Sequence, residues 1–157
     1  MAVQAETAQY SHRKQPPLAT EKAEAFKKRV AEVFNYALPQ EYVDILSVAD
    51  GIDWNGFVLY SSEIRYEGDE FVINGFIEVN SALRGPLGDC AGLGDLMYFA
   101  ESGIDLYQHN RGTGQFQLAD RTSGWINETF ESAQEMFQQL LREMVNYGSG
   151  NDENDDF

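Results

Sequence analysis

From Thr20 to Phe34 apolar residues return every three or four positions, at Ala23, Phe26, Val30, Val33 and Phe34. That spacing predicts an amphipathic helix with Thr20 as its N-cap, and Lys27, Lys28 and Arg29 away from much of the stripe. A shorter helix follows Leu38-Pro39, since proline fits the first helical turn where its missing N–H costs nothing. Tyr42, Ile45, Leu46 and Ala49 mark its buried face, and Asp50-Gly51 stops it where a left-handed residue is wanted. After the polar loop Asp53-Trp54-Asn55-Gly56, the apolar run Phe57-Val58-Leu59-Tyr60 reads as a buried strand.

Residues 61–69 are acidic and polar. Ile73-Asn74 opens a third helix, capped by Asn74 and ended by Gly85-Pro86, with Phe76, Val79 and Leu83 inward. Asn80 shares that face, and a mid-helix Asn aimed inward must find partners, here expected on a nearby backbone loop. Leu96–Phe99, Ile104–Gln108 and Gln115–Leu118 then read as consecutive strands, joined by turns at Glu101-Ser102-Gly103 and at Asn110–Gly114. Ser132-Ala133-Gln134-Glu135 is a capping box for a closing helix. Met136 or Phe137, with Leu140, Leu141 and Met144, face inward, and Gly148 ends the helix. The pattern predicts an α+β fold: N-terminal helices, a mostly antiparallel sheet of about five strands and a C-terminal closing helix. Residues 20–148 form one domain, residues 1–19 a flexible arm with Pro16-Pro17, and residues 149–157 a disordered acidic tail.

Composition narrows the function classes. At 157 residues with 10 Phe, 8 Tyr and 2 Trp, the chain can bury one proper core. The single cysteine, Cys90, excludes an internal disulfide and fits a reducing compartment. No apolar run approaches the ~18 residues of a membrane span, and the expected location is cytoplasmic. The net charge of −15 is unevenly spread. Residues 1–30 hold six Lys/Arg against three Glu, a balance of +3; residues 31–157 hold 5 Arg against 23 Asp/Glu, a balance of −18. Such a field repels nucleic acid and anionic membranes and steers basic proteins inward. Acidity also serves solubility alone.

The chemistry-bearing residues form no catalytic or metal-binding pattern. His12, His109 and Cys90 are too few soft or nitrogen ligands for zinc. Asp50, Asp53 and Asn55 lack the spacing and the twelfth-position glutamate of a calcium loop. The glycine-rich stretch GPLGDCAGLG over residues 85–94 is followed by a strand and has no Gly-Lys-Ser/Thr, so it does not read as a phosphate cradle. Among 26 acids some pair will be neighbours, so carboxylate pairs are a weak signal. No cofactor and no catalysis are expected. Trp54 and Trp125 sit outside the periodic faces, as partner anchors or folded-back caps on the core.

The Leu38-Pro39 helix carrying Tyr42, the Asp50-Gly51 stop and the Gly56-Phe57-x-Leu59-Tyr60 strand resemble the SMI1/KNR4 (SUKH) superfamily, and within it the YrhA-like branch. The likeness continues through Asn74–Arg84, Tyr98–Tyr107, the Thr113-Gly114 hairpin and Phe130–Leu141, so it spans Leu38 to about Val145. The resemblance implies the α+β fold above and, for bacterial members, an immunity protein that binds and neutralises a cognate polymorphic or contact-dependent toxin domain. With the acidic body it points to a basic toxin as partner. Candidate contacts, chosen for charge and expected exposure, are Asp53, Trp54, Glu63, Glu67, Asp69, Glu70, Glu101 and Asp105. The alternatives are a regulatory scaffold like the fungal members, and a small hydrolase using a carboxylate pair.

Overall fold

The computed structural model describes residues 13–83 and 95–154. Its elements, in order, are β1 (Arg13–Lys14), α1 (Thr20–Phe34), α2 (Gln40–Leu46), β2 (Ile52–Trp54), β3 (Phe57–Leu59), β4 (Arg65–Glu67), β5 (Glu70–Ile73), α3 (Phe76–Leu83), β6 (Leu96–Glu101), β7 (Asp105–Asn110), β8 (Phe116–Asp120), β9 (Ile126–Phe130) and α4 (Ala133–Asn154). Seven strands form one sheet in the order β1-β2-β3-β6-β7-β8-β9, antiparallel at every pairing, and β4-β5 form a separate hairpin. The chain is therefore α+β, with helices before and after an antiparallel sheet that is wider than the five strands expected.

Most departures from the expected elements occur where polar residues carry strand backbone. Asp53 and Trp54, expected in a loop, belong to β2. Asn55 and Gly56 make the two-residue turn to β3, both with positive φ (52° and 87°), as a hairpin turn matched to strand twist requires. Residues 61–69 contain β4, and Ile73 ends β5 fully buried instead of opening a helix. The arm is part of the fold from Arg13 onward: β1 pairs with β2, Leu18 N–H donates to Leu46 C=O at 2.8 Å, and Leu18 is buried. Ala19 stands in the N-cap position of α1, so Thr20 is the first helical residue. Val33, counted in the α1 stripe, is 49% exposed. Asn35, left-handed at φ 52°, ends α1. At the far end α4 continues past Gly148 to Asn154, through part of the tail expected to be disordered. The stretch over residues 85–94, with Cys90 and the helix end expected at Gly85-Pro86, lies outside the described residues.

The core is an aromatic cluster between the sheet and the helices. The Tyr42 ring lies 5.0 Å from Phe99, 5.5 Å from Phe76, 5.8 Å from Phe137 and 6.4 Å from Phe26, which joins α2 to β6, α3, α4 and α1. Its hydroxyl donates to Tyr60 C=O at 2.5 Å, which removes the one polar cost of burying a tyrosine completely. Met136 and Phe137 are both buried, and the α4 N-terminus is held by Glu135 N–H to Ser132 Oγ at 3.2 Å. The return bond of the capping box goes one residue early, from Glu131 N–H to Glu135 Oε2.

Asn80 performs a task that the pattern did not specify. Its side-chain amide accepts from Tyr98 N–H at 2.8 Å and donates to Tyr98 C=O at 3.0 Å and to Phe76 C=O at 2.9 Å. Strand β3 pairs with β6 only at Ala100 and Glu101, so the amide of a helix residue continues the ladder where β3 has run out. Its partner is a strand backbone, not the loop expected. Asn80→Ala leaves both backbone groups of Tyr98 buried without that partner and should cost about 2–4 kcal/mol in urea unfolding, against about 1 kcal/mol for Tyr42→Phe. A smaller loss for Asn80→Ala than for Tyr42→Phe would refute the ladder role.

Candidate partner-binding surface

The eight sequence candidates do not form one site. Glu67, Asp69 and Glu70 are exposed at the tip of the β4-β5 hairpin, where Gly68 (φ 61°) makes the turn. Glu63 stands at the foot of that hairpin, 3.6 Å from the Arg65 guanidinium and 66% exposed. Trp54 is half-buried and packs against the core, so it caps the interior and is no free anchor. Asp53 and Glu101 occupy one cross-strand row, Asp53–Val58–Glu101–Leu106–Ala119–Ile126, on one face of the sheet. Glu101 is engaged there: it accepts from Tyr60 Oη at 2.8 Å and pairs with Arg121 at 3.0 Å.

Asp105 lies on the opposite face, paired in register with Asp120. Burial and the nearby Glu143 carboxylate hold its carboxyl above the usual range, with Asn127 opposing through a hydrogen bond. Glu143 in turn accepts from Tyr107 Oη at 2.8 Å, and burial with that carboxylate pushes the phenol far above its ordinary value.

Of the exposed large apolar side chains among the described residues, Val33, Val48, Tyr66 and Val145 stand singly elsewhere, whereas three lie at the sheet end where β7 begins and β8 ends. Ile104 is 70% exposed, Trp125 75% and Ile126 45%. The two turns that carry them are joined: Arg121 N–H donates to Ile104 C=O at 2.7 Å, and Arg121 Nη1 to Ser102 C=O at 2.9 Å. Strand β9 is the last in the sheet, and four of its five residues are exposed. Asp105, Asp120 and Glu128 border the patch in sequence and register.

The turn that holds Trp125 occurs twice. Asn110-Arg111-Gly112-Thr113-Gly114 and Asp120-Arg121-Thr122-Ser123-Gly124 share one design. In each the first side-chain Oδ1 accepts two following backbone N–H groups. In each the fifth residue is a glycine at φ 80°, and the first residue's N–H donates to the C=O of the residue after that glycine, at 2.8 and 2.7 Å. These bonds from Ser123 and Thr122 hold the Asp120 carboxyl below its usual range. The residue after the glycine is Gln115 in one turn and Trp125 in the other, so the turn itself needs no aromatic. Trp125 is displayed by a rigid frame that folds equally well with a polar residue. The repeated (Asn/Asp)-Arg-x-(Thr/Ser)-Gly string was the available sequence signal for this display.

Two outcomes follow. Trp125→Gln, which gives the second turn the residue of the first, should change stability by no more than about 0.5 kcal/mol in chemical denaturation. Because the folded Asp105 carboxyl is raised above 3.8, its favourable contribution is full below that value and is lost as pH rises through the folded value. Asp105→Asn should therefore raise the melting temperature at pH 7 and leave it unchanged near pH 3. Equal shifts at both pH values would contradict that placement of charge. Neither a family model nor a curated protein matches this chain, and no described helix is long and apolar enough to cross a membrane.

Proposed function

We propose that the chain is an immunity-type protein that binds a basic toxin domain and neutralises it, with the Ile104–Trp125–Ile126 end of the sheet as the contact. The observation that carries this reading is Trp125, 75% exposed on a turn whose twin does without an aromatic. An exposed tryptophan on a rigid frame is the kind of side chain that dominates binding energy, because it offers large area at little conformational cost. The −18 balance of residues 31–157 supplies the complementary field for a basic partner. The resemblance to the SMI1/KNR4 superfamily, carried by Leu38–Tyr60 and the elements after it, supplies the toxin.

The test is affinity capture from the host at low and moderate salt, with the wild-type chain, Trp125→Gln, and a hairpin variant carrying Glu67→Lys, Asp69→Lys and Glu70→Lys. One dominant basic partner should be captured, and its affinity should fall at least about thirtyfold with Trp125→Gln, the 2 kcal/mol of a binding hot spot. The hairpin variant should mainly slow association and flatten the salt dependence. Full affinity with Trp125→Gln would move the contact elsewhere. Many weak partners would replace this reading by the regulatory scaffold.

A further inference from the structure

Between residues 16–19, α1 and the start of β4 lies a cavity of about 400 Å³, a size suited to a small molecule. Its electrostatics oppose those of the molecule around it. Lys22 and Arg29, seven residues apart and so on the same side of α1, line it together with Arg65. Both α1 cations are exposed, and among the described residues neither has an ion pair, whereas Lys27 on the same helix is paired with Glu24 at 3.2 Å. Two acids also line the space. Asp50 is fully buried and its oxygens are consumed by Ser62 N–H, Ser62 Oγ and the Arg65 guanidinium; Glu63 sits by Arg65. The lining thus carries three cations against two acids, inside a chain of net charge −15. The exposed prolines Pro16 and Pro17 and the edge of Phe26 provide an apolar wall.

We propose that this cavity binds a small organic monoanion, a carboxylate on an apolar body. The carboxylate lies between Lys22 and Arg29, neither of which has an ion pair among the described residues, and the body rests on the proline wall. The surplus of one positive charge matches one negative charge, and Asp50 and Glu63 disfavour a dianion such as phosphate. The wide acidic surface repels anions elsewhere, so the sign reversal confines them to this spot. An occupant would tie residues 16–19 to α1 and β4 and stabilise the fold by mass action. The site is independent of the partner surface, since it is built from elements at the β1–β2 side of the sheet.

The probe is phenylacetate, followed by amide chemical shifts and by melting temperature on the full chain. The comparison ligands are phenylacetamide, which keeps shape and loses charge, and inorganic phosphate. Phenylacetate should give saturable shifts confined to residues 16–29 and 62–65, with a dissociation constant on the order of 1 mM or below. Phenylacetamide and phosphate should each bind at least tenfold more weakly. Lys22→Gln with Arg29→Gln removes two exposed, unpaired side chains and should abolish the phenylacetate response without lowering the melting temperature of the free protein. Absence of saturable shifts there, equal binding of the amide, tighter binding of phosphate, or binding that survives the double variant would each overturn the proposal.

Discussion

Tyr42 is the residue on which the rest of the structure depends. Its ring touches one aromatic from each of four other elements, and its hydroxyl closes on the backbone just beyond β3. Edge and stacked aromatic contacts each add a little beyond their buried area, about 0.5–1.5 kcal/mol, but here their geometry matters more than their sum. A flat, two-rotor side chain fixed at both ends sets where α2 sits against the sheet. Phe26, Phe76 and Phe137 then place α1, α3 and α4 around it. The order of the helices in space is thus a consequence of one seven-residue helix.

A second constraint, polar and equally buried, lies at the end of α2. Asp50 has no exposed surface, and a carboxylate so placed survives only with full hydrogen bonding and a countercharge. It takes two bonds from Ser62 and the guanidinium of Arg65, while its own N–H donates to Pro16 C=O at 3.0 Å. Gly51 follows at φ 106°, and a Cβ there would come within 2.8 Å of Ser61 Cβ. Three chain segments meet at these two residues: residues 15–18, the end of α2 and the entry to β4. The same meeting leaves the cavity between them, so a structural latch and a ligand-sized space share one origin. Burial lowers the Arg65 pKa, yet the guanidinium remains far from titration at neutral pH.

How much of this was legible in the sequence follows from which periodicities the core imposes. The faces of α1, α2 and α4 were readable because each buries a single stripe at helical spacing. The central strands β3, β6, β7 and β8 were readable because they are short apolar runs between turn residues. Strands β2, β4 and β9 were not, since none is buried on a full face: β2 is half-buried throughout, β4 is mostly exposed and β9 is exposed at four positions. Their strand character comes from backbone pairing, to which side-chain hydropathy is blind. The pinned arm was hidden for the same reason, its bonds being main-chain bonds to Gly51, Leu46 and Asp50. The two tryptophans show the limit most sharply. Both follow polar turn-like residues, yet Trp54 stands opposite Phe57 in a tight hairpin and turns inward, whereas Trp125 follows a glycine-closed turn at the sheet end and is left outside.

The split of the acidic candidates has a physical consequence for any basic partner. The β4-β5 hairpin lies against β2, while Trp125 immediately precedes β9, five strands away in the sheet order. At about 4.8 Å per strand that separation is roughly 24 Å. It is about three times the ~8 Å screening length at physiological ionic strength. Glu67, Asp69 and Glu70 therefore cannot act on the same small patch as Trp125; in the proposed function they would act on the approach and the encounter rate. In the proposed function, residence comes from the apolar end, where Ile104, Trp125 and Ile126 would lose water, with Asp105, Asp120 and Glu128 bordering it in sequence and register. Of these, Asp105 already has its pKa raised by burial and, beyond that, by repulsion from Glu143. A cation arriving at that edge would relieve the repulsion as it docks, which couples charge complementarity to the tryptophan contact at one place.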